Sequence, residues 1–530
     1  TLRVADASLF SRSPYRVNPA VPEDVGLCAM TADGKPDWSH AEQAAIVAVD
    51  AKAGTLTIER GVYGSKPQAF AAGGAYVAAH VAQTWGTTNK LWQFNMATTC
   101  PRDAAGKTAA DRWAVELVAA IQPGGAIAYI DGVEFDVPFR KPMLLGRGRE
   151  ADCDADGKPD NGIVGGAPVF ALGVDNFIRA LRAALPEKLI MADVGENQQR
   201  SVATLNGIET EGWPKLRDPE FLHWSIALNH HCYWGALARP PVFHYGLMKF
   251  LGEGDVPLSR VRLTLAGPLL VDAAVPMGYL PPAGSNGVWD ELLGGTLQRR
   301  GWLGRPLGPA RWLADESPDL FAGRAFAAAA SSTDASVRTL PRGLEVAARN
   351  AAASSFTVRV GGLRLAAKTD LVVRIEASAL ISPHEHRDAY RVLSVAVVRA
   401  GKQPEWTRSA PAAPVAGKPF YGRYFFRDLD PGDHDLVVQA EGPEAVTLHA
   451  VSAHAASDIA VRSYERGVIL ANPSHRSQTF DLKTLLPGAA LRRIEATAAQ
   501  DPRVNSGVAV GAEVTLPPKD ALFLHAKWRP

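Results

Sequence analysis

The sequence predicts an α/β protein: a TIM-type (β/α)8 barrel, preceded by a small β module and followed by β-sandwich domains. Strand-like and helix-like segments alternate between about residues 85 and 330, and this alternation indicates a parallel sheet. After about residue 330 the helical patterns stop, and short strands separated by turn signals follow, as in a β-sandwich. We therefore predict four domains, which are a small β module (1–84), a β/α barrel (85–330), a jelly-roll-like β-sandwich (331–455) and a small antiparallel β domain (456–530).

Length, charge and cysteine content exclude several classes of protein. The chain has 530 residues, which is too many for one ordinary core. Its 56 basic and 55 acidic residues leave a formal net charge of +1, so no bulk field favours nucleic acid or an anionic membrane. No apolar run is long enough to span a bilayer, and the four cysteines form no CxxC pair. We expect neither a nucleic-acid partner nor a membrane span.

The elements before the first acidic strand follow from local patterns. Residues 45–49 and 55–59 are apolar segments joined by a turn-rich stretch, which predicts a hairpin in the first module. Residues 91–96 have the pattern of the first barrel strand. Thr108 and Asp111 have the spacing of a capping box, and the apolar positions after them repeat at helical intervals. A helix is therefore predicted from Thr108.

The segment 126–139, AIAYIDGVEFDVPF, predicts a barrel strand that ends in two carboxylates. Because strand residues alternate between faces, Glu134 and Asp136 lie on one side, and Val133 and Phe135 lie on the other. Both acids can face the mouth of a barrel, but Asp136 is nearer the carboxyl end, where these folds bind substrates. We therefore predict that Asp136 is catalytic and that Glu134 contacts substrate or tunes its neighbour.

A second segment of the same form is 205–214, LNGIETEGWP, in which Glu209 and Glu211 share a face. For the same reason of position, we predict that Glu211 is catalytic and that Glu209 supports it. Glycoside hydrolysis needs two such carboxyl groups, because one protonates the leaving oxygen while the other attacks or activates water. The pair therefore predicts an enzyme of this type.

Three later segments complete the predicted barrel. Residues 188–194 form a strand that ends at Asp193, which lies between the two acidic strands in the chain and is a candidate sugar contact. Residues 241–247 form another strand, with His244 on the face of Val242 and Gly246. The apolar segment 261–274 is counted as a further barrel segment.

Aromatic and imidazole side chains near these strands are candidate sugar contacts. Sugar rings stack on aromatic faces, and imidazoles hydrogen-bond hydroxyl groups, so His231, Trp234 and His244 are predicted to bind substrate. Structural roles in a core are the alternative for the histidines. Glu291, in the sequence WDE, is predicted to add an acid to the rim of the site, and the alternative for it is a helix start.

The loop 152–160 predicts a structural Ca²⁺ site. Its sequence, DCDADGKPD, alternates aspartates around a glycine turn, which surrounds a hard cation with oxygen ligands. The predicted ligands are the side chains of Asp152, Asp154, Asp156 and Asp160 and the carbonyl of Lys158. Ile163 replaces the closing glutamate of an EF-hand, so the loop is a freestanding site or an acidic turn. No phosphate-binding or dinucleotide-binding motif follows a strand, and we expect no organic cofactor.

These motifs together resemble those of a bacterial family of hypothetical glycoside hydrolases. The resemblance rests on DGVEFDV at 131–137, the loop that ends at 162, KLIMAD at 188–193, NGIETEGWP at 206–214 and WDE at 289–291. It implies a TIM barrel with β-sandwich accessories. The endo-polygalactosaminidase-type barrels are more distantly similar, and their strand-end acids match Asp136 and Glu211.

The predicted function is therefore hydrolysis of a polysaccharide or oligosaccharide, with Asp136 as nucleophile or base and Glu211 as general acid. One alternative is a non-catalytic carbohydrate-binding or cell-surface protein on a barrel scaffold. Another is a metal-dependent hydrolase or lyase that uses the aspartate loop directly. A polysaccharide substrate favours an extracytoplasmic location, either periplasmic or secreted.

Overall fold

The computed structural model describes residues 1–10, 24–80, 82–85, 89–136, 142, 150–193, 201–250, 256–275, 277–279, 289–323, 326–379, 391–497 and 500–528. Contacts within the chain divide it into two compact units. The first unit comprises Thr1–Asp131, Pro138–Lys188 and His386–Asp388, and the second comprises Gly132–Val137, Leu189–Glu385 and Ala389–Pro530. No helix in the described ranges is long and apolar enough to cross a membrane.

The first unit combines an antiparallel sheet with two packed helices. Its elements are β1 (Leu2–Arg3), β2 (Asp24–Met30), β3 (Pro36–Asp50), β4 (Thr55–Arg60), β5 (Ala75–Ala79), β6 (Ala82–Trp85), β7 (Asn89–Trp92), α1 (Ala109–Ile121) and α2 (Val169–Ala184), with a 3-10 turn at Ala7–Leu9. The sheet has the order β1-β4-β3-β2-β5. The predicted hairpin is confirmed, because Val49 of β3 pairs with Leu56 of β4.

Helix α1 begins where the sequence predicts. The Thr108 hydroxyl accepts a hydrogen bond from the Asp111 amide at 3.1 Å, and the Asp111 carboxylate accepts one from the Thr108 amide at 2.9 Å. Each side chain thus satisfies a backbone donor that the first helical turn leaves free. The helix packs on α2, where the rings of Trp113 and Phe177 stack at 4.5 Å.

The second unit begins with a parallel sheet. Its first elements are β8 (Gly132–Phe135), β9 (Leu189–Asp193), β10 (Gly207–Glu211), α3 (Trp224–Leu237), β11 (Tyr245–Lys249), α4 (Leu258–Leu270), β12 (Met277–Tyr279) and α5 (Asp290–Leu293). The strands pair in the order β12-β11-β10-β9-β8, and each neighbouring pair is parallel. Their carboxyl ends therefore meet at one edge of the sheet.

The rest of the second unit consists mainly of antiparallel strands. They are β13 (Arg311–Trp312), β14 (Ala330–Ser331), β15 (Ala335–Thr339), β16 (Leu344–Ala348), β17 (Ser355–Leu365), β18 (Thr369–Ala379), β19 (Val392–Arg399), β20 (Ala412–Pro414), β21 (Phe420–Leu429), β22 (Gly432–Glu441), β23 (Val446–His454), β24 (Ala460–Ser463), β25 (Gly467–Asn472), β26 (Gln478–Asp481), β27 (Ala489–Arg493), β28 (Glu513–Leu516) and β29 (Asp520–Trp528), with α6 at Leu482–Leu485 and 3-10 turns at Gly295–Leu297, Leu313–Glu316 and Phe326–Ala329.

The predicted TIM barrel is wrong. The described residues contain an open parallel sheet of five strands instead of eight strands closed into a ring, and most other strands belong to antiparallel sheets. Two segments that were assigned to the barrel have other structures. Residues 258–270 form helix α4 instead of a strand, and β7 pairs with β6 in an antiparallel ribbon. A short apolar run does not distinguish a buried strand from a buried helix, which explains the first of these errors.

Helices α3 and α4 also pack differently from the helices of a barrel. In α4, Val261 and Leu265 belong to the same buried cluster as Ile469 of β25 and Phe523 of β29. In α3, the Asn229 side-chain amide donates to the carbonyl oxygens of Ala412 and Arg423 at 2.8 Å each. Strands of the C-terminal β structure thus cover faces of α3 and α4. In a barrel, other elements would have to cover these faces.

Two five-stranded sheets form a β-sandwich between β14 and β23. Their orders are β14-β17-β22-β19-β20 and β15-β16-β23-β18-β21, and the buried residues of both sheets form one core. A further antiparallel sheet has the order β13-β24-β25-β29-β27, with the pair β26-β28 beside it in one hydrophobic cluster. A β-sandwich after the helical part is thereby confirmed, while the predicted domain boundaries stay predictions.

Candidate active site

The parallel sheet places five acids at the carboxyl ends of three neighbouring strands. These acids, here called the acid cluster, are Glu134, Asp136, Asp193, Glu209 and Glu211. In the register of the sheet, Glu209 pairs with Asp193 on one side and with Tyr245 on the other. Paired residues of neighbouring strands point to the same face, so these three side chains form a row. The strand alternation that the sequence predicts for Glu209 and Glu211 places both on this face.

Tyr245 joins two acids of the cluster. Its hydroxyl donates a hydrogen bond to the Glu134 carboxylate and lies 3.1 Å from Oε2 of Glu209. A phenol carries one proton, so both contacts are hydrogen bonds at the same time only when one carboxyl group is protonated. Burial and the neighbouring Glu134 raise the pKa of Glu209 to about 8. The raised pKa favours Glu209 over Glu134 as the holder of that proton.

Two more acids of the cluster have raised pKa values. Burial, followed by the charges of Glu211 and Asp136, raises the pKa of Asp193 to about 7. The pKa of Asp136 is also raised, first by partial desolvation and then by the charge of Glu211. Asp136 is exposed at the rim, whereas Asp193 is half-buried. The mutual effects indicate that Asp136, Asp193 and Glu211 share one electrostatic environment.

Lys249 brings a positive charge to the same edge. Its ammonium group forms an ion pair with Glu211, and its side chain is only 16% exposed, whereas that of Glu211 is 43% exposed. The two acids of β10 therefore have different partners, since Glu211 pairs with a cation and Glu209 contacts a phenol.

Two of these residues, Tyr245 and Lys249, are not among the site residues that the sequence predicts. The pattern that puts His244 on the face of Gly246 also puts Tyr245, Leu247 and Lys249 on the opposite face. That alternation was the signal for them. The prediction assigned His244 to the substrate and therefore did not consider the opposite face of the strand.

The predicted sugar contacts His231, Trp234 and His244 lie in the core instead of the acid cluster. All three are buried. His231 contacts His244 through their Nδ1 atoms at 2.8 Å and Thr210 through Nε2 at 3.0 Å. Thr210 is on the opposite face of β10 from Glu209 and Glu211. Burial lowers the pKa of His244 to about 4 and that of His231 well below its usual range, so both imidazoles are neutral at pH 7.

Glu291 is also apart from the acid cluster. It is 2% exposed and accepts a hydrogen bond from the Asn505 side-chain amide at 2.9 Å. Its backbone carbonyl accepts one from the Trp302 indole at 2.8 Å. Burial raises its pKa. The contact with Asn505 links the chain after the parallel sheet to the segment between β27 and β28.

The aspartate loop belongs to the first unit. One carboxylate oxygen from each of Asp152, Asp154 and Asp156 lies within 4.8 Å of the others, which is a suitable arrangement for a hard cation. Asp160 is not in this group, and its two oxygens accept from the Cys153 amide at 2.7 Å and the Gly162 amide at 2.5 Å. Asp152 also accepts from backbone amides, those of Asp156 at 3.2 Å and Gly157 at 2.8 Å. Desolvation raises the pKa of Asp152, and the charges of its neighbours add to this effect. A bound cation would relieve that repulsion.

Comparison with known proteins yields structural neighbours only. No protein-family model and no curated protein matches the chain. The xylan-binding module CBM15 is similar at 14% identity over 24% of this chain and 86% of its own, with a TM-score of 0.19. A CBM22 tandem from Paenibacillus barcinonensis Xyn10C is similar at 9% identity over 40% of this chain and 91% of its own, with a TM-score of 0.21.

An exo-beta-agarase is similar at 8% identity over 26% of this chain and 24% of its own, with a TM-score of 0.19. At such TM-scores the neighbours do not bear on fold or function. The functional argument therefore depends on the acid cluster.

Proposed function

We propose that the chain is a glycoside hydrolase whose acid cluster cleaves a polysaccharide or oligosaccharide. The observation that carries the proposal is that two carboxyl groups of one strand have different surroundings, because Glu209 lies beside Tyr245 and other acids whereas Glu211 pairs with Lys249. Cleavage of a glycosidic bond needs a proton donor to the leaving oxygen and a carboxylate that attacks the sugar or activates water. Environments that separate the pKa values of neighbouring acids are how enzymes assign these two roles.

Glu209 is the better supported proton donor. Its pKa of about 8 keeps it protonated at neutral pH, and Tyr245 holds its carboxyl group in place. Glu211, which the resemblance suggests for this role, is instead paired with the Lys249 ammonium group. Asp136, exposed at the rim, is the proposed nucleophile or base, with Glu211 as the second candidate for that role.

A screen of polysaccharides for newly formed reducing ends tests the proposal. We expect turnover of at least one glycan, and Asp136→Asn should remove it while leaving the fold intact. If Asp136 is the nucleophile, added azide should restore cleavage by attacking the anomeric carbon in place of the missing carboxylate. The product is then a glycosyl azide, which has no reducing end, so mass spectrometry would detect it. Binding of glycans without turnover would instead support the non-catalytic alternative. Such a result would remove the enzymatic proposal.

The pH dependence follows from the raised pKa values. A general acid must be protonated, so kcat/KM should fall as the pH rises through about 8, where Glu209 loses its proton. The unfolded chain titrates glutamate near pH 4.3, so the folded protein binds the extra proton between about pH 4.3 and 8. The free energy of unfolding should therefore decrease as pH rises through that window. An activity profile that stays flat up to pH 10 would contradict the assignment.

We also propose that Asp152, Asp154 and Asp156 bind Ca²⁺ as a structural ion. Calcium that binds only the folded chain should stabilise it by about 2.7 kcal/mol at a concentration of 100 times Kd. Tm would be measured in Ca²⁺ and in EGTA. Asp154→Asn should reduce the difference, whereas Asp103→Asn, outside the loop, should not. A Tm that millimolar Ca²⁺ leaves unchanged would rule out the site.

The substrate class and an extracytoplasmic location complete the proposal. They follow from the chemistry of the acid cluster, because polysaccharides are mostly hydrolysed outside the cytoplasm.

A further inference from the structure

A polar cavity lies in the second unit, where the sandwich meets the C-terminal strands. Its volume is about 380 Å³, within the range of small-molecule sites. Five polar residues line it, which are Thr369 and Asp370 at the start of β18, Ser457 after β23, Arg476 just before β26 and Gln478 at the start of β26. Leu313 and Ile459 form an apolar wall of the cavity. No member of the acid cluster lines it, and we call it the polar pocket.

A chain of hydrogen bonds orders the polar side of this pocket. The Gln478 side-chain amide donates to the Ser457 hydroxyl at 2.8 Å, and that hydroxyl donates to Oδ2 of Asp370 at 2.6 Å. Oδ1 of Asp370 accepts from the Asp428 backbone amide at 3.0 Å. Asp370 is only 2% exposed, so this series of hydrogen bonds ends on a buried side chain. A carboxylate has about four acceptor positions, and Asp370 can therefore accept from a ligand as well.

The charged groups of the pocket already have partners. The Arg476 guanidinium donates to Oδ1 of Asp428 at 2.9 Å and 3.2 Å, and also to the Lys368 carbonyl oxygen at 3.1 Å. Asp370 interacts electrostatically with the buried guanidinium of Arg427. Because both signs of charge are balanced, the pocket favours a neutral ligand with several hydroxyl groups over an anion or a cation.

We propose that the polar pocket binds a neutral saccharide, as a site separate from the acid cluster. Hydroxyl groups of a sugar would exchange hydrogen bonds with Asp370, Ser457 and Gln478, and the less polar face of its ring would lie against Leu313 and Ile459. This combination of a few fixed polar groups with an apolar wall is typical of small-molecule sites. The proposal does not require the acid cluster to be catalytic.

Saturation-transfer NMR on the full chain tests the site with glucose, galactose, xylose and their disaccharides as probes, and with inorganic phosphate as the anionic probe. The Glu209→Gln background prevents turnover during the measurement. We expect saturable binding of at least one neutral saccharide in the millimolar range. Gln478→Ala and Ser457→Ala should each weaken it by about three- to tenfold, because each removes one hydrogen-bonding group.

Thr479→Ala is the matched control, because Thr479 is exposed on the same strand and hydrogen-bonds Thr515 instead of the pocket. Circular dichroism would verify that each variant is folded. Binding of phosphate but of no neutral saccharide would overturn the proposal. Saccharide binding that both pocket variants leave unchanged would also overturn it, because the sugar would then bind at another site. Because the pocket variants leave the acid cluster intact, loss of binding here and loss of hydrolysis there are separate results.

Discussion

Replacing Glu209 by glutamine is expected to lower turnover of an unactivated polysaccharide by about 10²- to 10⁴-fold, the usual contribution of a general acid. Glutamine has nearly the shape of glutamate and can keep a contact with the Tyr245 hydroxyl, but it has no proton to give to a leaving oxygen. The fold should not change, because the substitution removes a half-buried carboxyl group whose raised pKa indicates that its charged form is disfavoured there. Steady-state kinetics on the substrate from the polysaccharide screen would measure the loss.

The leaving group shows whether Glu209 acts as the proton donor. Aryl glycosides with a strongly acidic phenol release it without protonation, because the phenolate is a good leaving group. The Glu209→Gln enzyme should therefore lose much less activity on them. Glu211→Gln, at a carboxylate paired with Lys249, should lose activity on both kinds of substrate. Glu513→Gln, an exposed glutamate of β28, is the matched control and should retain full activity. Equal losses of Glu209→Gln on both substrates would argue against the proton-donor role.

Replacing Asp458 by alanine is expected to destabilise the protein by about 3–5 kcal/mol, because it removes the more buried of the two carboxylates that pair with the Arg423 guanidinium. Asp458 is fully buried and accepts hydrogen bonds from the Trp224 indole at 3.0 Å and from Nε of Arg423 at 2.5 Å. Arg423 also donates to Asp315 at 2.8 Å and lies 4.7 Å from the centre of the Trp312 ring. These contacts connect α3 with β21 and the chain before β24.

Urea unfolding would measure this loss of stability. Asp433→Ala is the control, because its ion pair with Arg364 is exposed and 3.9 Å long. Exposed pairs contribute only about 0–1 kcal/mol. Arg423→Met should cost at least as much as Asp458→Ala, since it leaves the fully buried Asp458 carboxylate without its ion-pair partner. Similar small losses for Asp458→Ala and Asp433→Ala would mean that this network does not hold the second unit together.

The prediction of a barrel failed because the sequence was interpreted one segment at a time. An apolar run such as 261–274 satisfies both a buried strand and a buried helix, and only its packing distinguishes them. In the structure, α4 lies against β25 and β29, which follow it by about 200 residues. No local pattern contains that partner. The sandwich was predicted correctly because period-two alternation and turn residues are local signals.

The positions of the acids on shared strand faces could be predicted for the same reason as the sandwich, because both depend on local alternation. A strand alternates its side chains over neighbouring residues, so the amino-acid order alone put Glu134 with Asp136, and Glu209 with Glu211, on shared faces at strand ends. The charge state of each acid depends on the fold, because Tyr245, Lys249 and the burial of Asp193 come from other strands. Chain order thus decides which side chains are available, and the low-dielectric contacts among distant strands decide their charge.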